Sequence, residues 1–319
     1  MELQKEYKTM MGFGSALARL LIKDGAEGHA LDETVSANIK HQIGSSYNSW
    51  ADGALTLWNW GMHDEQTHSR IAAQIPEFDQ HDSDGFCEQL YCYTFGHAGV
   101  SDRPRKILEV GSGAGAGLNF LSRLNQQDTF IGVDLAQRAV ARATARFSRP
   151  GAVSFVNGDA ENLPFKDGEF DVVINVESSH NYPHVGAFLA EVGRVLKPGG
   201  TFSFVDFFTD ERLAEFEKGL TPAASALQPQ AQHDISENVR AAIRRRMDRD
   251  SIFRAQVRKS SPLGTRYIQE QNALLQYGSP FATKSSMWNK LSGTGMSDGL
   301  RVVAKLNSYR HFLATKVGS

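Results

Sequence analysis

At 319 residues, with 41% hydrophobic and 22% charged residues, the chain can bury one large core, and its composition is that of a globular protein. A net charge of −2 excludes a global field suited to nucleic acid or an anionic membrane, and no apolar run reaches the roughly 18 residues of a spanning helix. The N-terminus lacks a signal-peptide pattern, and Cys87 and Cys92 read as reduced core residues, so the expectation is a cytoplasmic enzyme.

Residues 1–100 show no strand–helix alternation and are expected to form a helical N-terminal cap. Three of its tryptophans, Trp50, Trp58 and Trp60, stand close together in NSWADGALTLWNWGMHDE. Such rings either anchor the cap by burial or, as with Tyr47, Trp58 and Trp60, line a pocket whose aromatic faces stabilise positive charge. Residues 101–208 alternate regularly: strands at 106–110, 129–134, 152–156, 170–176 and 201–207, with helices at 117–124, 136–147 and 184–196 between them. Apolar strands joined by short helices require a parallel sheet covered on both faces. Pro198, Gly199 and Gly200 stop the last of those helices.

Residues 209–300 break the alternation and are expected to form a helical substrate lid. A Pro/Gln/Ala loop at 221–233 leads to a helix with Ile235, Val239, Ile243 and Met247 four apart. Eight Lys or Arg against two Asp at 240–259 make either a solvated face or an anion pocket, with Arg245 a candidate contact to substrate. Residues 301–319 carry strand composition and are expected to complete the sheet at its edge.

The stretch KILEVGSGAGAGLNFL, Lys106 to Leu121, organises the chain. Strand, glycine turn and helix follow in that order, the first unit of a nucleotide-binding α/β sheet. Gly111, Gly113 and Ala116 also satisfy the dinucleotide pattern, so a dehydrogenase has to be weighed. Glu109, an acid inside the strand, has no use beside a pyrophosphate and suits a ligand bearing an ammonium group. Asp134, ending the second strand, can accept from two ribose hydroxyls; Asp159, after the third, can accept from an adenine amino group.

Taken together, GSGAG, VDL (133–135), NGDAENLPF (157–165), FDVVINVESSHNYPH (170–184) and LKPGGTFSFVDF (196–207) resemble the S-adenosylmethionine-dependent methyltransferases with a Rossmann-like fold. LWNWG, EQLY (88–91) and SYRHFLAT (308–315) extend the likeness to the mycobacterial phthiotriolone and phenolphthiotriolone dimycocerosate methyltransferases and related secondary-metabolite methyltransferases. The resemblance weakens between Phe208 and Leu300. It implies a seven-stranded, mostly parallel α/β sheet with helices on both faces. Glu109 and the backbone of Gly111, Ser112, Gly113 and Gly115 would hold the methionine part of S-adenosyl-L-methionine. Asp134 and Leu135 would hold the ribose, Asp159 and Ala160 the adenine, while Asn175 and Val176 flank the sulfonium. Gln89 and Tyr91 either cap the methionine carboxylate or pack.

Methyl transfer is an in-line displacement, and O-methylation of an unactivated hydroxyl gains from a general base. His180 is the first candidate, its alternative being to organise the loop; Glu177 is the second, its alternative being to brace it. Tyr182 stands beside them as a substrate contact. A metal at His180 and His184 is not expected, because Pro183 breaks the helical spacing and no third ligand is evident. The leading expectation is methylation of a hydroxyl on an apolar polyketide, lipid or other secondary metabolite, yielding S-adenosyl-L-homocysteine. Carbon methylation of a prenyl diphosphate through a carbocation, with Arg244 to Arg246 as anion clamp, is the second. A non-catalytic cofactor-binding module is the third. The expected partner is a small apolar molecule rather than nucleic acid; a homo-oligomer stays open.

Overall fold

The computed structural model describes residues 2–22, 31–51, 57, 59–76, 78, 83–99, 101–248, 250–252, 255, 302 and 305–318, with backbone alone at 2–11, 50 and 247. Trp58, the side chain of Trp50 and about half of the expected lid, residues 256–300, lie outside them.

Four helices come first: α1 (Glu2–Leu21), α2 (Glu33–Trp50), α3 (Glu65–Gln74) and α4 (Phe86–Gly96). Asp32 and Asp64 start α2 and α3 by accepting from the backbone N–H three residues on, Val35 and Thr67, each at 2.7 Å. Then β1 (Lys106–Val110), α5 (Ala116–Leu124), β2 (Thr129–Asp134), α6 (Gln137–Phe147), β3 (Val153–Asn157), β4 (Phe170–Val176), α7 (Val185–Val195) and β5 (Leu196–Phe208) alternate. The chain continues through α8 (Asp210–Gly219), α9 (Pro222–Ser225), β6 (Leu227–Asp234), α10 (Ser236–Met247) and β7 (Ser308–Lys316).

The strands form one seven-stranded sheet in the order β3-β2-β1-β4-β5-β7-β6. The first five are parallel; β7 runs antiparallel to both β5 and β6. The central strands β1 and β4 are buried on both faces, and Ile107, Leu108, Phe130, Val173 and Ile174 are fully enclosed. The chain leaves β1 towards β2 on one side, while β4 lies on the other. That reversal opens a crevice outside the carboxyl ends of β1 and β4, where open α/β sheets bind ligands.

Two elements differ from the sequence reading. The C-terminal strand does not close the edge: β7 lies one place in, and β6 is the edge, in a segment expected to be loop and helical lid. LQPQAQHD carries no apolar alternation because most of its residues face solvent. Its Pro229 stands at a register irregularity between Pro229 and Ala231, where an edge strand tolerates a missing N–H. Pro198 to Gly200 do not merely stop α7; they lie within β5, which starts at Leu196.

Candidate active site

The glycine turn forms the floor of the crevice. Gly111, Gly113 and Gly115 all take positive φ, at 78°, 52° and 80°, a region other residues reach only with strain. A Cβ on Gly111 would stand 1.9 Å from Ser178 Oγ, so glycine there answers both a backbone and a space requirement. Asp134 braces the turn from β2: its carboxylate accepts from the Gly113 N–H and the Ala136 N–H, each at 2.8 Å. Each oxygen retains a lone pair for a further donor.

Around this turn lies a cavity of about 650 Å³, its open mouth included. Gly111, Ser112, Gly113, Asp134, Leu135, Val176 and Glu177 line it from the sheet side, and Ile43, Tyr47, Leu57 and Asn59 from the N-terminal region. Leu135 is 41% exposed, a large apolar side chain left open at a cavity wall, as a flat ligand would need.

Glu109 adjoins the cavity through Tyr91, which lines it and donates its hydroxyl to Glu109 Oε1 at 2.7 Å. Glu109 is fully buried, and its second oxygen, Oε2, has no partner among the described residues. Burial raises its pKa to about 8, against the opposing effect of the Tyr91 hydrogen bond. An unpaired buried carboxyl oxygen is costly, and a ligand ammonium would both pair it and ionise it. Ser112 Oγ is likewise buried without a partner. These orphaned acceptors, the glycine cradle and Asp134 fit S-adenosylmethionine.

The loop after β4 is built around a second carboxylate. Asp206, in β5, accepts from Ser179 Oγ at 2.6 Å, from the His180 N–H at 2.9 Å and from His180 Nδ1 at 2.9 Å. The His180 ring is buried and stacks on Phe207 with centroids 4.3 Å apart. Because Nδ1 donates to Asp206, Nε2 carries the free lone pair, and it has no partner among the described residues. Arg212 fixes the same loop, donating to the carbonyls of Ser179 at 3.0 Å and Tyr182 at 2.5 Å.

Glu177 is held differently. Its φ of 46° is left-handed, a strained conformation for a non-glycine residue. Its Oε1 accepts from the Trp60 N–H at 2.6 Å and from the Tyr309 hydroxyl. Burial raises its pKa to about 8, so the neutral acid predominates at pH 7.

His180 and the remaining candidates are not among the residues that line the cavity. Asn175 is buried, donating to Val110 O at 2.8 Å and to Tyr182 Oη at 3.0 Å, and so ties the ends of β1 and β4 together. Tyr182 Oη also bonds Ser178 Oγ at 2.7 Å. Gln89 is buried, its Oε1 accepting from the Asp64 N–H at 2.9 Å. Asp159 accepts from Lys40 Nζ at 2.7 Å and from the Glu161 N–H at 2.9 Å, beside the buried Ala160. The Trp60 ring packs against Phe207, with only its backbone at Glu177. Arg245 is exposed on α10, away from the lining. Arg246 instead turns inward, its guanidinium bonded to both Asp84 oxygens at 2.6 and 2.8 Å.

Sequence reasoning missed Asp206, Tyr309 and Lys40. Asp206 had a usable signal: it stands in the VDF phrase near the carboxyl end of its strand, much as Asp134 ends β2. Tyr309 had none, since its bond to Glu177 spans 132 residues.

A glycine turn at the switch point, an acid inside the first strand and an acid ending the second define a Rossmann-like nucleoside-cofactor enzyme. Residues 108–204 match the family described as a methyltransferase domain. The phthiotriol/phenolphthiotriol dimycocerosates methyltransferase of Mycobacterium tuberculosis is 44% identical over 135 residues, 42% of this chain. The chain spans about half of that relative's length, 49%. A fatty-acid O-methyltransferase of Mycolicibacterium smegmatis is 37% identical over 197 residues, 62% of this chain and 68% of the relative. The chain belongs to this methyltransferase family.

Among solved structures, the [4+2]-cyclase SpnF superposes with a TM-score of 0.60 at 18% identity, over 88% of this chain and 97% of its own. A geranyl diphosphate methyltransferase in complex with GPP and sinefungin superposes at 0.57 and 14% identity, over 88% and 100%. At these identities the likeness is one of fold, and a fold shared with a cyclase leaves the reaction to be argued from the site.

Proposed function

We propose that the protein transfers a methyl group from S-adenosylmethionine to the hydroxyl oxygen of an apolar small molecule, a polyketide, lipid or other secondary metabolite. When bound, the cofactor supplies an electrophilic methyl group on its sulfonium sulfur. Glu109, the Gly111–Gly115 backbone and Asp134 would hold its ammonium, methionine and ribose parts. The chain's own contribution is to align the acceptor, exclude water and take up one proton.

The His180–Asp206 pair, set behind the wall and next in sequence to the lining residue Asn181, carries this reading. Asp206 fixes the ring with Nδ1–H pointing at it, which leaves Nε2 to accept the proton of a hydroxyl. Ile43, Tyr47 and Leu57 give the cavity an apolar side suited to a hydrocarbon. The named activities of the relatives, on fatty acids and phthiotriol lipids, support the same acceptor class. A prenyl diphosphate would need cations at its anionic end. No Lys or Arg lines the cavity among the described residues, and Arg246 is committed to Asp84.

The test is product analysis with methyl-labelled cofactor against a long-chain secondary alcohol, a fatty acid and geranyl diphosphate. Label on oxygen of the alcohol is expected, and kcat should fall about 10²–10⁴-fold in His180→Ala. Full activity of His180→Ala removes it as base, and label on carbon of geranyl diphosphate alone overturns the acceptor. Cofactor binding by calorimetry with no label on any acceptor would leave only the non-catalytic cofactor-binding module.

A further inference from the structure

Away from the cavity, three histidines from three elements meet on the sheet face beneath α4. His97 caps the C-terminus of α4, while His233 on β6 and His311 on β7 are directly opposed cross-strand partners. One ring nitrogen of each lies within 4.8 Å of those of the other two. His311 is fully buried, His97 half-buried, and His233 partly open to solvent.

Their hydrogen bonds set the tautomers. Ser203 Oγ donates to the Thr94 carbonyl at 2.7 Å, because a carbonyl can only accept. Its 2.8 Å contact with His311 Nε2 is therefore an N–H donated by the histidine, which leaves His311 Nδ1 with a lone pair. His97 Nδ1, 2.8 Å from the Tyr93 carbonyl, must carry its hydrogen too, which leaves Nε2 free. Metal-ligating histidines are oriented in this way, one nitrogen donating to a carbonyl or hydroxyl and the other facing the ion.

The spacing agrees. His233 Nδ1 and His311 Nδ1 stand 3.3 Å apart. Tetrahedral zinc, with Zn–N of about 2.0–2.1 Å, places two of its nitrogens about 3.4 Å from each other.

We propose that His97, His233 and His311 bind one divalent transition-metal ion of the zinc class, with a fourth position open to solvent. Imidazole ligands suit zinc, copper and nickel rather than magnesium or calcium. The ion would tie the end of α4 to the β6–β7 edge. Both elements reach the cofactor cavity: Tyr91 of α4 donates to Glu109, and Tyr309 of β7 donates to Glu177. The three residues are far apart in sequence, so no spacing motif announces them. The role is structural, since none of them lines the cavity.

The test uses the full chain, stripped with a chelator and titrated with zinc chloride alone, followed by cobalt(II) absorbance. One equivalent, visible bands of tetrahedral cobalt and a raised thermal midpoint are expected. His233→Ala and His97→Ala should each weaken zinc at least tenfold, whereas His41→Ala, on an exposed position of α2, should bind as the parent does. Absence of saturable binding, or binding unchanged in both variants, would reduce the cluster to a hydrogen-bonded histidine pair and overturn the proposal.

Discussion

The floor and the roof of the cavity are built by different means. The floor is the carboxyl edge of β1, β2 and β4, knitted by backbone ladders and a glycine turn that leaves no room for side chains. The roof is α2, and its polar ties to the floor all run through side chains. Lys40 reaches Asp159 and Glu161, each at 2.7 Å; Ser36 reaches His184 at 2.9 Å; Asn48 accepts from the Arg138 N–H at 2.8 Å; Asn181 donates to Tyr47 Oη at 3.2 Å. Backbone ladders break only when the fold does, whereas a few side-chain bridges can part locally at low cost. The floor therefore suits the constant chemistry of the cofactor, and the roof suits a changing acceptor.

Floor substitutions should have the larger effects. Gly111→Ala puts a Cβ 1.9 Å from Ser178 Oγ in a left-handed conformation. The conformation costs roughly 1–2 kcal/mol and the overlap about 1–3 more, so a loss of about 2–5 kcal/mol in denaturant unfolding is expected. Adding Ser178→Gly should restore most of the overlap part, leaving a 2.8 Å approach to Tyr182 Oη and the backbone part; no recovery at all would mean that space is not what limits residue 111.

Glu109→Gln should barely move the stability of the cofactor-free protein at pH 7, because burial already holds this carboxyl largely protonated, with a pKa of about 8. Its effect is expected in binding: loss of a charge-assisted contact worth about 1.5–3 kcal/mol weakens the cofactor roughly 10–150-fold. The parent must also release a proton on binding, which calorimetry in buffers of different ionisation enthalpy reads directly. Equal proton release in Glu109→Gln would assign it to another group.

The same division explains what the sequence discloses. The floor is legible because its determinants are local: the glycine turn, the acid in β1 and the acid ending β2 each stand in a short phrase, and β4 was read residue for residue. The roof and the far edge are not. Lys40 meets Asp159 across 119 residues, and the polar β6 is a strand only because β7 pairs with it. The basic run at 240–259 misleads for a related reason, since charge alone does not separate exposed Arg245 from buried Arg246. Partners in tertiary structure decide these, and composition does not.

Glu177 lies where floor and roof meet and gives a smaller, pH-dependent effect. Burial raises its folded pKa to about 8, well above the roughly 4.3 of an unfolded glutamate. Between those values the native state holds more protons than the unfolded one, so its stability falls as pH rises. The contribution is complete below about pH 4.3 and is lost as pH rises through about 8, with a slope of order 1 kcal/mol per pH unit. Glu177→Gln keeps an acceptor for Trp60 and Tyr309 and should reduce the slope of unfolding curves taken between pH 5 and 8 by this amount, leaving the like contribution of Glu109. A slope unchanged in the variant would place the titration elsewhere.

The smallest effect on folding should come from the roof. Lys40 bridges two carboxylates at the rim, and its side chain is 24% exposed. Partly exposed ion pairs contribute about 0.2–1 kcal/mol, so Lys40→Ala should lower unfolding stability by less than about 1 kcal/mol. Its other consequence distinguishes the two regions. With α2 held by fewer bridges, amide exchange in residues 33–50 should speed up while β1 and β4 stay protected, and KM should rise more than kcat falls. If exchange rose equally in the strands, roof and floor would be one cooperative unit, and a roof that parts from a standing floor would have to be abandoned.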